Sequence, residues 1–426
     1  MINLDKFFKQ TIPEGLIGVG FIKIITTLMS VCITVLLARL LEPGKFGEYS
    51  FVLALVSLST LPLLQGLPVL IIREVAQFKL QVTGYSIQKI LRYADTVILG
   101  LCSILVGLWV VWSTLISSQP NDWILSKLIL AAFGIPLIVS LTSVRSAVVR
   151  GLGMPVRGQL PEILIRPFIF LGLLITTSYT FKLTAMDAIQ LHLIAAATAF
   201  LASVCIMRNT LPINVDIQNV QLSTIKLTKS LVPLSFISGM QVVNSQLDLI
   251  MLGVLADEYE VGIYKIASVL ALQVSFVMTI VNVVFAPRFV EYHKKNEISE
   301  LKQLNRNGAA LSFTGGFLIC IILLIFGPWF IRFAIGDAYL PAMLPLMILM
   351  IAHLLTLWAG SSNIVLSMIG NENDVLVSVV CSTLVNLVLN YLLIPKFGMI
   401  GAASSSAAAL ILWRIILRTY YINRLG

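Results

Sequence analysis

Charged residues are scarce in this chain. They make up 12% of its 426 residues, whereas an ordinary soluble domain carries about 25%. The apolar fraction is high at 58%, and the mean hydropathy is +0.96. Because a soluble protein of this length needs far more polar surface, the composition argues against a soluble enzyme, a secreted disulfide scaffold and a disordered chain. It predicts a polytopic membrane protein.

Histidines, cysteines and catalytic motifs are also few. Three histidines and scattered acids give no Ser-His-Asp or paired-carboxylate arrangement, and neither GxxxxGK[ST] nor HExxH occurs. The lone His192 and His353 are expected to be satisfied within a helix bundle. The five cysteines fall in apolar stretches without CxxC spacing, so they are interpreted as small buried residues. The net charge of +9 includes no basic run with interleaved aromatics, so no nucleic-acid partner is expected.

Long apolar runs dominate what is present. A helix needs about 20 apolar residues to cross a hydrocarbon core roughly 30 Å thick. We therefore predict an all-α polytopic membrane protein with twelve transmembrane helices, over 15–41, 48–72, 94–116, 123–149, 161–178, 185–207, 230–255, 261–287, 308–331, 341–368, 373–394 and 398–420. The longest connections are 208–229 and 288–307. The outer connections are too short to hold a catalytic site, so we expect neither an enzyme nor a resident cofactor or metal. These outer connections are 42–47, 117–122, 179–184, 256–260, 332–340 and 395–397.

Lysine and arginine are distributed unequally between the two sides of the predicted spans. With the N-terminus in the cytoplasm, eighteen fall in cytoplasmic segments and four on the opposite side. This positive-inside bias predicts that both termini are cytoplasmic.

The two sets of six spans resemble copies of each other. Three residue pairs share an offset of 215 residues: Gly47 with Gly262, Tyr49 with Tyr264, and Arg73 with Arg288. Six spans per copy give both copies the same orientation, so we predict a parallel internal repeat with a central site between two lobes. The predicted domains are an N-terminal lobe over 1–207, a polar cytoplasmic linker over 208–229 and a C-terminal lobe over 230–426.

Polar residues line one face of several spans, where they are costly unless they face protein or water. In span one Lys23, Thr27 and Ser30 share a face, and in span seven Gln241, Asn244 and Asp248 do so. We predict that these six residues, together with Arg145 and Arg166, line a wet substrate cavity. Further polar stripes are predicted in span eight, which includes Lys265, and in span eleven, which contains Ser382, Asn386 and Asn390. The alternative is that such side chains join helices without binding a ligand.

The charged residues inside the spans leave alternatives open. Lys23 lies roughly 12 Å deep at 1.5 Å per residue, so it needs an anionic partner, a salt bridge or water. Asp248 either pairs structurally with Lys265 or forms an ion or proton site.

Three further arginines carry separate expectations. Arg166 is expected to pair with Glu162 at i, i+4, or else to present its guanidinium to the cavity. Arg73 and Arg288, at equivalent positions of the repeat, are candidates for a gate at the cytoplasmic mouth.

Three strings resemble a known family: LLARLLEPGKFGEYSFVLALVSL, GLPVLIIREVA and VVRGLGMPVRGQLPEILIRP. They are similar to the polysaccharide-transporter family, which contains O-antigen and capsule-unit flippases within the superfamily of multidrug, oligosaccharidyl-lipid and polysaccharide exporters. The resemblance covers nearly the whole chain. It implies two six-helix lobes and movement of an undecaprenyl-diphosphate-linked oligosaccharide from the cytoplasmic to the outer leaflet. The related drug antiporters carry acidic cation sites in the membrane, whereas span one here offers Lys23 and no mid-membrane acid.

We therefore expect a flippase of the bacterial cytoplasmic membrane that works by alternating access. Its partners would be a lipid-linked oligosaccharide, membrane lipids and a glycan polymerase complex. Two alternatives remain: a cation-coupled drug antiporter of the same architecture, and a non-transporting scaffold of a glycan-synthesis complex. Transport requires the charged stripes inside the spans, whereas a scaffold would gain nothing from them.

Overall fold

The computed structural model describes residues 14–59, 66–72, 74–75, 87–116, 127–179, 182–211 and 224–425, and this part of the chain is helical without a β-strand. The helices are α1 (Glu14–Ser59), α2 (Ile87–Ile116), α3 (Gly134–Gly151), α4 (Pro155–Leu160), α5 (Arg166–Ser178), α6 (Ala185–Thr210), α7 (Thr224–Leu255), α8 (Glu258–Leu272), α9 (Phe276–Lys294), α10 (Ile298–Phe330), α11 (Met343–Leu357), α12 (Ser362–Met368) and α13 (Glu372–Leu425). A π-helical turn over Pro161–Ile165 joins α4 to α5.

Nine helices in the described ranges are long and apolar enough to cross a membrane. The longest, α1 and α13, are each interrupted by one residue with non-helical backbone angles, Glu42 and Gly398. A straight helix with the 54 residues of α13 would be about 81 Å long, far more than the roughly 30 Å hydrocarbon core. The part of α7 over Val242–Leu255 is a further, shorter apolar segment. The all-α polytopic class is confirmed, while the count of twelve spans stays a prediction.

The predicted connection over 288–307 is helical along most of its length. Helix α9 continues to Lys294 and α10 begins at Ile298, so only a short turn separates them. The charged residues here are good helix formers and extend both helices beyond their apolar segments. Asn296, with φ of 58°, ends α9 in the left-handed conformation that asparagine tolerates. The Glu297 amide then donates to the Tyr292 carbonyl at 2.9 Å.

The chain packs as two compact units. The first unit contains Met1–Gly47 and Leu247–Gly426, and the second contains Glu48–Gln246. These boundaries fall inside α1 and α7, whereas the predicted lobes met at the linker, and residues 212–223 of that linker lie outside the described residues. The lobe boundaries therefore stay a prediction.

Close backbone contact explains why the end of the Met1–Gly47 segment belongs to the first unit. A Cβ atom on Gly47 would lie 1.6 Å from the Glu258 carbonyl oxygen, and one on Gly262 would lie 2.1 Å from the Pro43 carbonyl oxygen. Only glycine permits helices α1 and α8 to approach this closely. The predicted repeat pair Gly47 and Gly262 is thus a contact.

Candidate functional site

A buried carboxylate forms the polar centre of the first unit. Asp248, on α7, is 8% exposed. Its Oδ1 accepts hydrogen bonds from Asn386 Nδ2 at 2.9 Å and Asn390 Nδ2 at 2.8 Å. Its Oδ2 accepts from Tyr264 OH at 3.0 Å and from Ser406 Oγ. Helices α7, α8 and α13 thus converge on one acid, which stabilises a charge that is costly inside a membrane.

All four donors to Asp248 are neutral. Among the described residues Asp248 has no cationic partner, so the cluster carries one negative charge if the acid is ionised. The Asn390 side chain is fully buried, and its Oδ1 has no hydrogen-bond partner within the described part of the chain. A buried amide oxygen beside a carboxylate is a hard ligand for a small cation or a proton.

Lys265 is absent from the described partners of Asp248, so the predicted pair is not formed. Consecutive residues on an α-helix point about 100° apart. Because Tyr264 directs its hydroxyl to Asp248, the adjacent Lys265 faces elsewhere. The sequence predicts that Asp248 and Lys265 lie at the same depth in the membrane. It does not predict the direction in which each side chain points around its helix axis.

The second unit has a polar centre of opposite charge. Arg150, at the end of α3, and Arg166, at the start of α5, both interact electrostatically with Glu162. Two guanidinium groups therefore lie within electrostatic range of one carboxylate. Arg150 Nε and Glu162 Oε1 are buried and have no hydrogen-bond partner in the described ranges.

The predicted Glu162–Arg166 ion pair is not formed as a direct contact between these two described residues. The π-helical turn over Pro161–Ile165 contains Glu162 and ends directly before Arg166, so it replaces the α-helical spacing on which the prediction depends. Arg166 instead lies near Tyr49 and His192. Glu162 and Arg166 thus interact electrostatically without a direct contact, and the alternative, that Arg166 presents its guanidinium group to the cavity, stays a prediction.

Both predicted bundle histidines are satisfied. His192 Nδ1 and Tyr49 OH form a hydrogen bond of 3.0 Å, and the imidazole stacks on Phe170 with ring centroids 4.7 Å apart. His353 Nδ1 and Ser275 Oγ lie 3.1 Å apart. These contacts confirm that each histidine has a structural partner.

Arg145 is neutralised by an acid that sequence reasoning missed. Its Nη1 and Nη2 donate to Asp95 Oδ1 and Oδ2 at 2.5 and 2.8 Å, and its guanidinium lies 5.3 Å from the Phe200 ring centroid. The bidentate pair joins α2 to α3 and fixes both side chains. Asp95 and Arg145 are 50 residues apart, so no local pattern indicates that they meet.

An apolar cavity of about 520 Å³ lies in the first unit between α1 and helices α8 to α10. Its wall includes Ile24, Val31, Leu270, Phe276 and Phe326. Thr27 also lines this cavity, so its predicted place on a wet surface corresponds in the structure to a hydrocarbon-lined wall. The polar stripe of span one did not show which neighbouring helices would pack around Thr27.

The remaining predicted residues fall into two groups. Ser30 is exposed on α1, Asn244 is partly buried on α7 one turn before Asp248, and Arg288 is partly buried on α9. The side chains of Lys23 and Gln241, and the whole of Arg73, lie outside the described residues. Their roles stay predictions.

Comparison with known proteins finds one family and a shared fold. A family model described as "Polysaccharide biosynthesis protein" matches residues 14–293. None of the curated proteins matches the chain.

Solved transporter structures have similar folds. An inward-facing multidrug resistance transporter of the MATE family, in the MOP superfamily, is 11% identical, with a TM-score of 0.77 over 95% of this chain and 98% of that chain. The lipid II flippase MurJ, in an inward closed conformation, is 13% identical, with a TM-score of 0.72 over 94% of this chain and 86% of that chain. A MOP superfamily transporter from Pyrococcus furiosus is 12% identical, with a TM-score of 0.62 over 95% and 93%. At these identities the similarity establishes the fold.

Proposed function

The chain belongs to the polysaccharide biosynthesis protein family, and we propose that it is a flippase for an undecaprenyl-diphosphate-linked oligosaccharide. The substrate would be an O-antigen, capsule or exopolysaccharide repeat unit, moved from the inner to the outer leaflet of a bacterial cytoplasmic membrane by alternating access. Both termini would be cytoplasmic. The observation that carries the proposal is the pair of arginines around a single glutamate in the second unit.

This arginine pair fits a diphosphate chemically. Arg150 and Arg166 together carry one positive charge more than Glu162 balances, and Arg150 Nε has no described acceptor. A diphosphate presents several charged oxygens, and charge-assisted hydrogen bonds from guanidinium groups are about twice as strong as neutral ones. Arginine also keeps its charge in apolar surroundings and matches phosphate geometry with two parallel donors. We propose that Arg166 makes the direct contact and that Lys23 adds a second cation.

The apolar cavity fits the other end of such a substrate. A polyprenyl chain is hydrocarbon throughout, and the wall formed by Val31, Leu270 and Phe326 offers only apolar contact. Each buried methylene group contributes about 0.8 kcal/mol, so even partial insertion of the chain would hold it. We propose that Ser30, Gln241 and Asn244 contact the sugar, whose hydroxyl groups need amide and hydroxyl partners.

Asp248 supports a proposal for energy coupling. A single buried carboxylate held by neutral donors changes its net charge when it binds one proton or one monovalent cation. The unpaired Asn390 Oδ1 next to it supplies a further acceptor. Because moving a charge into a low-dielectric site is costly, we propose that occupation of Asp248 alternates during the transport cycle.

The same acid supports a second candidate, a cation-coupled drug antiporter. A buried carboxylate suits a cationic substrate, whereas the arginine pair would repel one. The two functions therefore predict opposite responses when an arginine is removed.

The test is complementation of a flippase-deficient host, with surface polysaccharide and membrane protein level measured together. Arg166→Gln should lower surface polysaccharide roughly tenfold or more at a normal protein level, because a hydrogen bond to a charged group contributes about 1.5–3 kcal/mol. Arg166→Lys should retain more activity. The control is Arg157→Gln, since Arg157 is exposed near the end of the same bundle and should complement fully.

Two results would contradict the flippase assignment. Full complementation by Arg166→Gln would remove the arginine pair from substrate binding. Greater resistance to cationic drugs in cells carrying Arg166→Gln, without any change in polysaccharide, would favour the antiporter.

A further inference from the structure

A basic pocket lies in the first unit where α10 begins and where α11 and α13 end. Its volume is about 400 Å³. Its polar lining consists of Lys302, Asn305, Arg306, Trp358, Arg418 and Tyr421, and the other lining residues are apolar. Three cations and no carboxylate therefore surround one cavity. The proposed transport function assigns no role to it.

The arginines of this basic pocket keep free donor groups. Arg418 stacks on the face of Trp358, with its guanidinium carbon 4.2 Å from the ring centroid. Stacking on the ring face leaves the N–H groups at the guanidinium edge available. Arg306 is exposed, and within the described part of the chain neither Arg306 nor Arg418 forms a hydrogen bond or an ion pair with a carboxylate.

Hydrogen bonds and a close backbone approach fix the position of Asn305, which lines the basic pocket. Asn305 is 7% exposed, and its Oδ1 accepts a hydrogen bond from the Ser361 amide at 2.9 Å. Gly360 has a φ of 69°, and a Cβ atom there would lie 2.8 Å from Asn305 Oδ1. Arg414 Nη1 donates to the Gly360 carbonyl at 3.2 Å. The turn between α11 and α12 thus fixes Trp358 relative to α10.

Apolar stripes lead from the basic pocket along two helices. On α11, Ile351 and Leu355 are exposed in line with Trp358. On α10, Phe313 and Phe317 are exposed and their rings stack on each other, on the helix face that also carries Arg306. The spacing of three and four residues places each set on one helix face. An exposed apolar stripe on a membrane-spanning helix faces acyl chains, and an exposed tryptophan marks the level of the headgroups.

We propose that this basic pocket binds the phosphate group of an anionic phospholipid, with the acyl chains along the exposed faces of α10 and α11. The phosphodiester accepts hydrogen bonds from the free edges of Arg306 and Arg418, and Lys302 adds charge. Basic pockets between transmembrane helices bind such headgroups on the cytoplasmic side, which is the side predicted for this end of the helices. The bound lipid would join α10 and α13 across the turn at Gly360.

Native mass spectrometry of the full chain in detergent tests the proposal. Phosphatidylglycerol, phosphatidylcholine, undecaprenyl phosphate and inorganic phosphate are added separately. Phosphatidylglycerol should be retained in preference to the other three. Arg306→Gln combined with Arg418→Gln should weaken phosphatidylglycerol binding about 25-fold, because each cation near a membrane surface contributes about fivefold.

Two further variants complete the experiment. Lys294→Gln removes an exposed cation at the end of α9, outside the basic pocket, and should bind phosphatidylglycerol like the parent protein. Ile422→Glu adds a negative charge to the lining at an exposed position without removing any cation, and should weaken binding about fivefold. Because Ile422 is exposed, its substitution should not disturb folding, so this variant still tests the proposal if the double variant fails to fold.

Equal binding of phosphatidylglycerol by all variants would overturn the proposal, and so would equal binding of phosphatidylcholine. Preferential retention of undecaprenyl phosphate or inorganic phosphate would show that the bound phosphate comes from another source and would overturn the assignment to a phospholipid. Because the readout is lipid binding and not polysaccharide export, failure here is distinguishable from failure of the proposed flippase function.

Discussion

Two tyrosines at equivalent positions of the predicted sequence repeat bind different partners. Tyr49 forms its hydrogen bond with His192 in the second unit, and Tyr264 donates to Asp248 in the first. Each phenol is the buried end of a polar cluster, but one cluster contains arginines and the other an acid. One position of the predicted repeat thus belongs to clusters of opposite charge, as the proposed binding of an anion and a coupling cation at separate sites requires.

Substitution of Asp248 separates its structural role from its charge. Asp248→Asn keeps one acceptor oxygen, and its amide group can donate to the Tyr264 and Ser406 hydroxyls, which can rotate to accept. Its thermal stability should therefore stay close to that of the parent protein. Asp248→Ala strands several buried donors, each at about 1–3 kcal/mol, and should melt at a clearly lower temperature. If Asp248 couples transport to a cation, Asp248→Asn should also fail to export polysaccharide.

The measurements are melting by fluorescence-detected size-exclusion chromatography and the complementation assay. Ser245→Ala is the control, because the Ser245 hydroxyl donates to the Val242 carbonyl of its own helix and to no other described residue. Equal melting temperatures for the two Asp248 variants would refute this division of roles. Normal export by Asp248→Asn would exclude the coupling role.

Individual polar residues could be predicted from the sequence, but their pairings could not. The stripe containing Asn386 and Asn390 follows from helical spacing alone. Their hydrogen bonds to Asp248 depend on the rotation and approach of helices about 140 positions apart in sequence, which no local period encodes. The wrong partner for Asp248 and the missed Asp95 have the same cause.

At the scale of the elements, most of the helices could be predicted from the sequence. Most apolar segments of the described helices match the predicted spans, because hydropathy over about 20 residues is a strong signal. The predicted outer connection 42–47 contains the break at Glu42, and the break at Gly398 directly follows the predicted connection 395–397. A proline and a glycine lie at each of these two places in the sequence and indicate a break. The helical extension through 288–307 was missed because polarity alone was interpreted as a loop.

The contact between α1 and α8 gives a prediction at this scale. Gly262→Ala places a methyl group 2.1 Å from the Pro43 carbonyl oxygen, so the helices must separate, and overpacking of this kind costs about 1–3 kcal/mol. The variant should melt at a lower temperature than the parent protein. The matched control is Gly44→Ala, since a Cβ atom on Gly44 meets nothing within 4 Å. Equal melting of the two variants would show that the helices separate without strain.

For the whole molecule, the amount and distribution of apolar residues predict the class, an all-α polytopic membrane protein. The distribution of lysine and arginine predicts how the chain is oriented in the membrane. Sequence identities of 11–13% leave few shared residues, yet the fold is shared, because a membrane constrains helix length and hydropathy more than residue identity. The orientation is not a property of the fold, since the bias in lysine and arginine sets it independently.

Cysteine labelling in intact cells tests the orientation. In a background without the native cysteines, Glu297→Cys in the turn between α9 and α10 should react with an impermeant maleimide only after the membrane is opened. Lys396→Cys, beside the break in α13, should react from outside in intact cells. Both positions are exposed, so accessibility is matched. The reverse pattern would invert the predicted topology and place the basic pocket on the outer side.

During purification in detergent, the apolar cavity lined by Ile24 and Phe330 is in contact with a large excess of detergent alkyl chains. Such a cavity has no preference for a polyprenyl chain over another apolar chain of similar width, because the hydrophobic effect is non-directional. Detergent would therefore act as a competitive ligand, and affinities measured in micelles would underestimate those in a bilayer. If the proposed lipid-linked oligosaccharide is the substrate, its apparent dissociation constant should rise with detergent concentration, and that of a water-soluble fragment without the tail should stay constant.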